Sequence, residues 1–214
     1  TLAPGASGIG AFTFPTLPSG SLAPAQSITF TISVSGTRVG QANVPEEVRA
    51  SVVKTVKVAT AVALSASSLH SSGSFGNSGP VPPRADQATT YTIVWSARNG
   101  GNTIADGIVS AILPSYVSYT GLTAGPGSFS YDGGSRMVSW DIGDIAQGGN
   151  AHGAFQVSIV PSISQKGKAP ALTSAASFSG YDRFAGVQIK ASADPSTTET
   201  KDDPGYTDAN AIVQ

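Results

Sequence analysis

YTIVWSARNGGNTIADGIVSAILPSYVSY, residues 91–119, and MVSWDIGDIAQGGNAHGAFQVSIV, residues 137–160, decide the fold. The first reads as a strand, an Asn-Gly-Gly-Asn turn, a strand ending in Leu113-Pro114, and a further strand. After a Gly/Ser-rich stretch, the second gives a Trp140-x-Ile142-Gly143-x-Ile145-x-x-Gly148 motif and a strand of strict alternation. A period of two places successive side chains on opposite faces, the mark of a half-buried strand. An echo of the tail of this unit, FTFPTLPSGSLAPAQSITFTISV, occupies residues 12–34. A repeated β-unit whose motif carries no chemistry points to a structural module.

Outward from that cassette, short strands follow one another at roughly ten-residue spacing, which indicates an all-β sandwich. They are expected at residues 89–98, 106–113, 116–121, 128–131, 136–140, 153–160, 172–180 and 187–191. Residues 55–69 also alternate and read as the first strand of this unit. Residues 70–86 form a long connection with prolines at 80, 82 and 83. Upstream, residues 11–14 suggest a short strand and residues 15–24 a turn-rich connection. Residues 27–34 place Ile28, Phe30, Ile32 and Val34 on one face of a strand. Residues 48–58 are rich in β-branched residues and read as strand. A helix starting near Pro45-Glu46-Glu47 is the rival.

These elements divide the chain into three parts: residues 1–54, 55–193 and 194–214. The middle part has enough strands to close a two-sheet sandwich. The first has two or three, too few to bury a core alone, and reads as the last strands of a partial domain. Its open sheet is expected to find strands elsewhere, in another chain or in neighbouring domains. The last part is acidic and without period, and reads as a surface tail. The chain opens on Thr1 with no signal-peptide pattern, as a processed product or an excised portion would.

Composition narrows the function. Net charge is −1 with no basic run, which argues against a nucleic-acid partner. Charged residues make up only 12 % of the chain, about half the usual ~25 %. A surface built from Ser, Thr, Gly, Asn and Gln suggests an exported protein. With no cysteine, thiol nucleophiles, disulfides and cysteine metal sites are excluded. No apolar run is long enough for a transmembrane helix.

The cassette resembles a bacterial and archaeal surface-repeat domain family. That family is an immunoglobulin-like domain of unknown molecular function, found in tandem on very large cell-surface proteins. Tyr91, Thr92, Asn99, Gly101, Asn102, Ala105, Leu113, Pro114, Trp140, Ile142, Gly143, Gly148, Phe155 and Val157 match its pattern. The match covers residues 87–161 well and 12–34 weakly. The resemblance implies an immunoglobulin-like fold and an extracellular, cell-surface location, and it brings no catalytic residues. Arg98 and Ala111 depart from the pattern. The usual acid before Leu-Pro is missing at Ala111, which removes support for a family-wide cation site there.

Candidate chemistry is sparse. His70 and His152 lack an acidic partner at short spacing, and no serine lies in a nucleophile motif. Asp141 and Asp144 form a pair whose spacing sends them to different faces, in a turn where Asp bonds its own backbone. Asp86, Asp182, Asp194, Glu199, Asp202, Asp203 and Asp208 supply loop oxygens of the kind calcium takes. Of these, Asp182, Asp202 and Asp203 are the calcium candidates, with solvated charges as the ordinary alternative. A Lys–Asn cross-link from Lys54 or Lys57 to Asn99 or Asn102 is conceivable, but a turn already explains the asparagines. Most aromatics alternate with polar residues and read as core rather than as a sugar platform. Tyr131, Tyr181 and Tyr206 fall in or near turns. The expectation is a non-enzymatic structural surface protein that self-associates into an array, stalk or filament. An adhesin or carbohydrate-binding module acting on surface glycans is the alternative.

Overall fold

The computed structural model describes residues 6–13, 25–37 and 47–214. Expectations for residues 15–24, Phe14, Pro45 and Glu46 lie outside the described residues. The strands are β1 (Ser27–Thr37), β2 (Glu47–Lys57), β3 (Val62–Leu69), β4 (Thr89–Asn99), β5 (Ile104–Ile112) and β6 (Val117–Ala124). They continue as β7 (Ser128–Asp132), β8 (Met137–Ile145), β9 (Asn150–Ile159), β10 (Ala176–Asp182) and β11 (Val187–Ala193). A short helix, α1 (Asp208–Ala211), lies near the C-terminus.

Every strand pairing described is antiparallel. One sheet has the order β3-β4-β9-β6, the other β11-β10-β5-β8-β7, and β1-β2 form a two-stranded ribbon. The first sheet follows the A-B-E-D arrangement of an immunoglobulin-like sandwich, and β11-β10-β5 follow G-F-C. The hairpin β7–β8 widens that second sheet beyond its C strand. The fold is therefore all-β and immunoglobulin-like.

The core lies where the two sheets face each other. Alternate residues of β4 (Tyr91, Ile93, Trp95, Ala97) and β9 (Phe155, Val157, Ile159) meet Val109, Val138, Trp140 and Phe178 from the other sheet, all buried. The Trp140 and Phe129 rings stack at 5.6 Å, and Trp95 meets Phe155 edge-on at 4.8 Å. Such offset and T-shaped pairs add specificity to simple burial.

Three details depart from the sequence reading. Residues 11–13 carry no strand. The run expected across residues 55–69 is interrupted between Lys57 and Val62, because Val58 N–H bonds back to Gln26 O while Thr60 N–H turns to Asp182. The Trp-Asp-Ile-Gly motif is not a free turn, since β8 runs through it. Its register against β5 shifts there, and Gly143 takes a positive φ of 72°, which glycine adopts without steric cost. In residues 48–58, by contrast, the strand reading holds over the helical one.

The acidic C-terminal segment runs along the sandwich and buries alternate residues against it. Ser196, Thr198 and Thr200 are buried in alternation, and Ala211 and Val213 are each 1 % exposed. Ala171 and Thr197 form an antiparallel bridge, Thr198 donates its hydroxyl to Ala211 O, and Ser68 donates its hydroxyl to Thr197 O. This period of two is carried by hydroxyls, so a search for apolar periodicity misses it.

Candidate functional site

Cross-strand partners in an antiparallel pair share a face. In the ribbon, Ile28/Val56, Phe30/Lys54, Ile32/Val52, Val34/Ala50 and Gly36/Val48 therefore line one side, apolar but for Lys54. Thr29/Thr55, Ser33/Ser51 and Ser35/Arg49 line the other. The register runs through eleven pairs without a shift. Phe12 stands 5.8 Å from Phe30 on the apolar side. Val34 (65 %), Val52 (58 %), Val48 (47 %), Val56 (46 %) and Ile32 (44 %) remain exposed. Covering the half of each side chain that is still exposed is worth roughly 0.7–1.5 kcal/mol apiece, so the face holds unrealised burial energy. Near the far end of the ribbon, Glu47 and Arg49 pair at 2.6 Å and border an open hollow of about 390 Å³ with Ser33, Val34 and Ser51.

A compact polar joint ties the ribbon to the sandwich. Asn102 (5 % exposed) accepts from Ala25 N–H at 2.8 Å and donates to Val58 O and to Asp182, each at 2.9 Å. Asp182 is fully buried and also accepts from Thr60, Phe184 and Ala185 N–H. Burial pushes its carboxyl upward, but Asn102 and the three backbone donors outweigh this and hold it below the usual range. Asn99, 1 % exposed, donates to Asn102 O and Ala146 O and accepts from the Thr60 hydroxyl. Lys57 completes the joint by donating to Phe184 O at 2.8 Å, with its ammonium 4.9 Å from the Phe184 ring.

A second carboxylate hub lies at the other end of β3. Asp203, 7 % exposed, accepts from His70, Ser71 and Ser72 N–H and from the Ser72 hydroxyl. Burial raises its carboxyl, and Ser72 with the three backbone donors lowers it further than burial raises it. Burial, and then the Asp203 charge, pushes the phenol of Tyr91 above its ordinary value.

The structure separates most of the residues that sequence placed together. Asp182 and Asp203 stand at opposite ends of β3, each filled by protein donors, and Asp202 is exposed. Among the described residues no group of three or more His, Cys, Asp or Glu is arranged to hold a metal. Asp141 accepts from Gly143 N–H, and Asp144 pairs with Arg183 at 2.7 Å. The His70 ring packs edge-on against Tyr91, and the His152 ring meets Asn150. Lys57 points to Phe184, and the Asn99 and Asn102 amides donate to backbone carbonyls or Asp182, so no lysine is bonded to them. Tyr119 and Tyr131 stack on each other at 5.1 Å, with Tyr119 also packed on Phe155. The joint itself was missed. Its signal was the second Asn of Asn-Gly-Gly-Asn, which a turn alone does not require.

No family model matches the chain, and no curated protein matches it. Among solved structures it is similar to the full-length major pilin SpaD from Corynebacterium diphtheriae. That likeness has 10 % identity and a TM-score of 0.43 over 87 % of this chain and 63 % of the pilin. It is also similar to BcpA, the major pilin subunit of Bacillus cereus, with 8 % identity and a TM-score of 0.40 over 79 % and 64 % of the two chains. A GH20 exo beta-N-acetylglucosaminidase from Vibrio harveyi matches at 10 % identity and a TM-score of 0.34, over 65 % of this chain and 18 % of the enzyme. The chain spans less than two thirds of each of these neighbours. At such scores the likeness carries no function across.

Proposed function

We propose that this chain is a non-enzymatic structural module of an extracellular, cell-surface assembly, in which strand-mediated subunit contacts build an array, stalk or filament. In this reading the strands that end at Lys57 close a partial immunoglobulin-like unit, the strands from Val62 to Ala193 make a complete one, and residues 194–214 are a segment laid against it. The observation that carries the reading is the β1–β2 ribbon. It presents an exposed apolar face and an edge without a paired strand among the described residues, on a joint that fixes it to the sandwich. Unpaired strand edges and exposed apolar faces are contact surfaces.

Sedimentation velocity across a concentration series tests this. The full chain associates by mass action. A variant carrying Ile32→Thr and Val52→Thr, which keeps β-propensity while removing apolar surface, associates more weakly. A chain that stays monomeric at every concentration contradicts the proposal.

A further inference from the structure

One hydrogen bond fixes what β2 offers on its open side. Val58 N–H bonds to Gln26 O, so the even-numbered residues of β2 turn their backbone groups toward β1. The odd-numbered residues, Arg49, Ser51, Val53 and Thr55 among them, turn theirs outward. Among the described residues the sandwich edges are less suited to pairing, and β11 has only seven residues. β6 carries a register shift, β7 has only five residues, and the C-terminal segment lies against Ser68 of β3. β2 is eleven residues long, without proline or bulge.

Two charges at the ends of β2 complement each other between copies; within one copy Lys57 donates to Phe184 O and Glu47 pairs with Arg49, so pairing between copies exchanges those contacts. Glu47 and Lys57 stand at the two ends of β2, with Val52 at the middle. A two-fold axis through Val52 sets Glu47 of one copy opposite Lys57 of the other, at both ends. Val48 then meets Val56, Ser51 meets Val53, and Ala50 meets Lys54. Apolar face stays on apolar face, since the paired residues have the same parity. Moving the axis to Lys54 sets Lys54 against itself, and moving it to Val53 sets Lys57 against Arg49. Like charges directly opposite each other are unfavourable. β1 has no charged residue with which to specify a register.

We infer that β2 pairs antiparallel with β2 of a second copy about a two-fold axis through Val52, forming a four-stranded sheet in the order β1-β2-β2-β1. This rests on the assembly role proposed above and names its partner and register.

The absence of cysteine makes the test clean. The two Val52 residues form a pair without mutual backbone bonds, with Cα atoms ~4.5 Å apart, inside the ~4.4–6.8 Å that a disulfide spans. Val52→Cys chains therefore cross-link into dimers under mild oxidation. Val34→Cys chains do not, because their Val34 positions lie three strand spacings apart across the sheet, ~14 Å, and are offset by a further ~13 Å along it. Both positions are exposed, so neither change disturbs the core. In a second arm, Glu47→Lys and Lys57→Glu chains each associate several-fold more weakly than the unmodified chain. A one-to-one mixture recovers association, since each end then brings Lys opposite Glu. If the chain associates but Val34→Cys links as readily as Val52→Cys, or mixing restores nothing, this register is wrong while the assembly role stands. If the unmodified chain never associates, the assembly role fails and the register with it.

Discussion

Gly153 shows how tightly single residues are held in the sandwich. A Cβ there would lie 2.6 Å from Trp140 Cε2 and 2.9 Å from Phe129 Cζ. Gly153→Ala therefore forces the stacked rings apart and lowers stability by about 1–3 kcal/mol, read from chemical denaturation. Asp203 makes a different prediction. Its carboxyl is held below the unfolded-state value of ~3.9. The stabilisation is complete above that value and is lost as pH falls through the lower folded-state value. Asp203→Asn leaves buried donors facing an amide, and costs about 2–4 kcal/mol near neutral pH. The gap to the unmodified chain narrows as the medium becomes strongly acidic, because the unmodified carboxyl protonates. A gap independent of pH contradicts the hub. Neither Asp182 nor Asp203 is recognisable as a hub from sequence, since the donors that tie each to the ends of β3 lie 122 to 133 positions away, even though Asp182 also takes two local backbone donors. Their acidity was visible, but their partners were not.

At the scale of elements, the strands were legible wherever apolar residues alternate. β1, β4, β9 and β10 fall close to their expected places, because each has one face in contact with apolar neighbours or aligned for it. β8 was read too short, since a glycine-bearing bulge carries it on through Gly143 to Ile145. The burial of alternate residues in the C-terminal segment is not legible as apolar periodicity, because those positions are Ser and Thr, satisfied by hydrogen bonds rather than by hydrophobic contact. The ribbon's open edge carries the proposed contact. Proline at Val53 removes an outward N–H and leaves the ladder to β1 intact. Val53→Pro therefore abolishes association in sedimentation while the denaturation midpoint of the sandwich is unchanged. Association that survives the proline contradicts a role for this edge.

Over the whole molecule, the strand registers place the ribbon and the C-terminus at opposite ends. Ala25, Val58 and Lys57 meet Asn102 and Phe184, where β4 ends and β10 ends. Gln214 pairs its backbone with Pro83 and Ala85, before β4 begins, and Val213 pairs with Gly167 and Lys168. The proposed contact surface is thus held away from the C-terminal segment, and one can be occupied without disturbing the other. Amide hydrogen exchange of the unmodified chain at low and high concentration tests this account most directly. At high concentration, protection rises at Arg49, Ser51, Val53 and Thr55, and stays constant in β6 and β7. Protection in β2 that is the same at both concentrations contradicts the account.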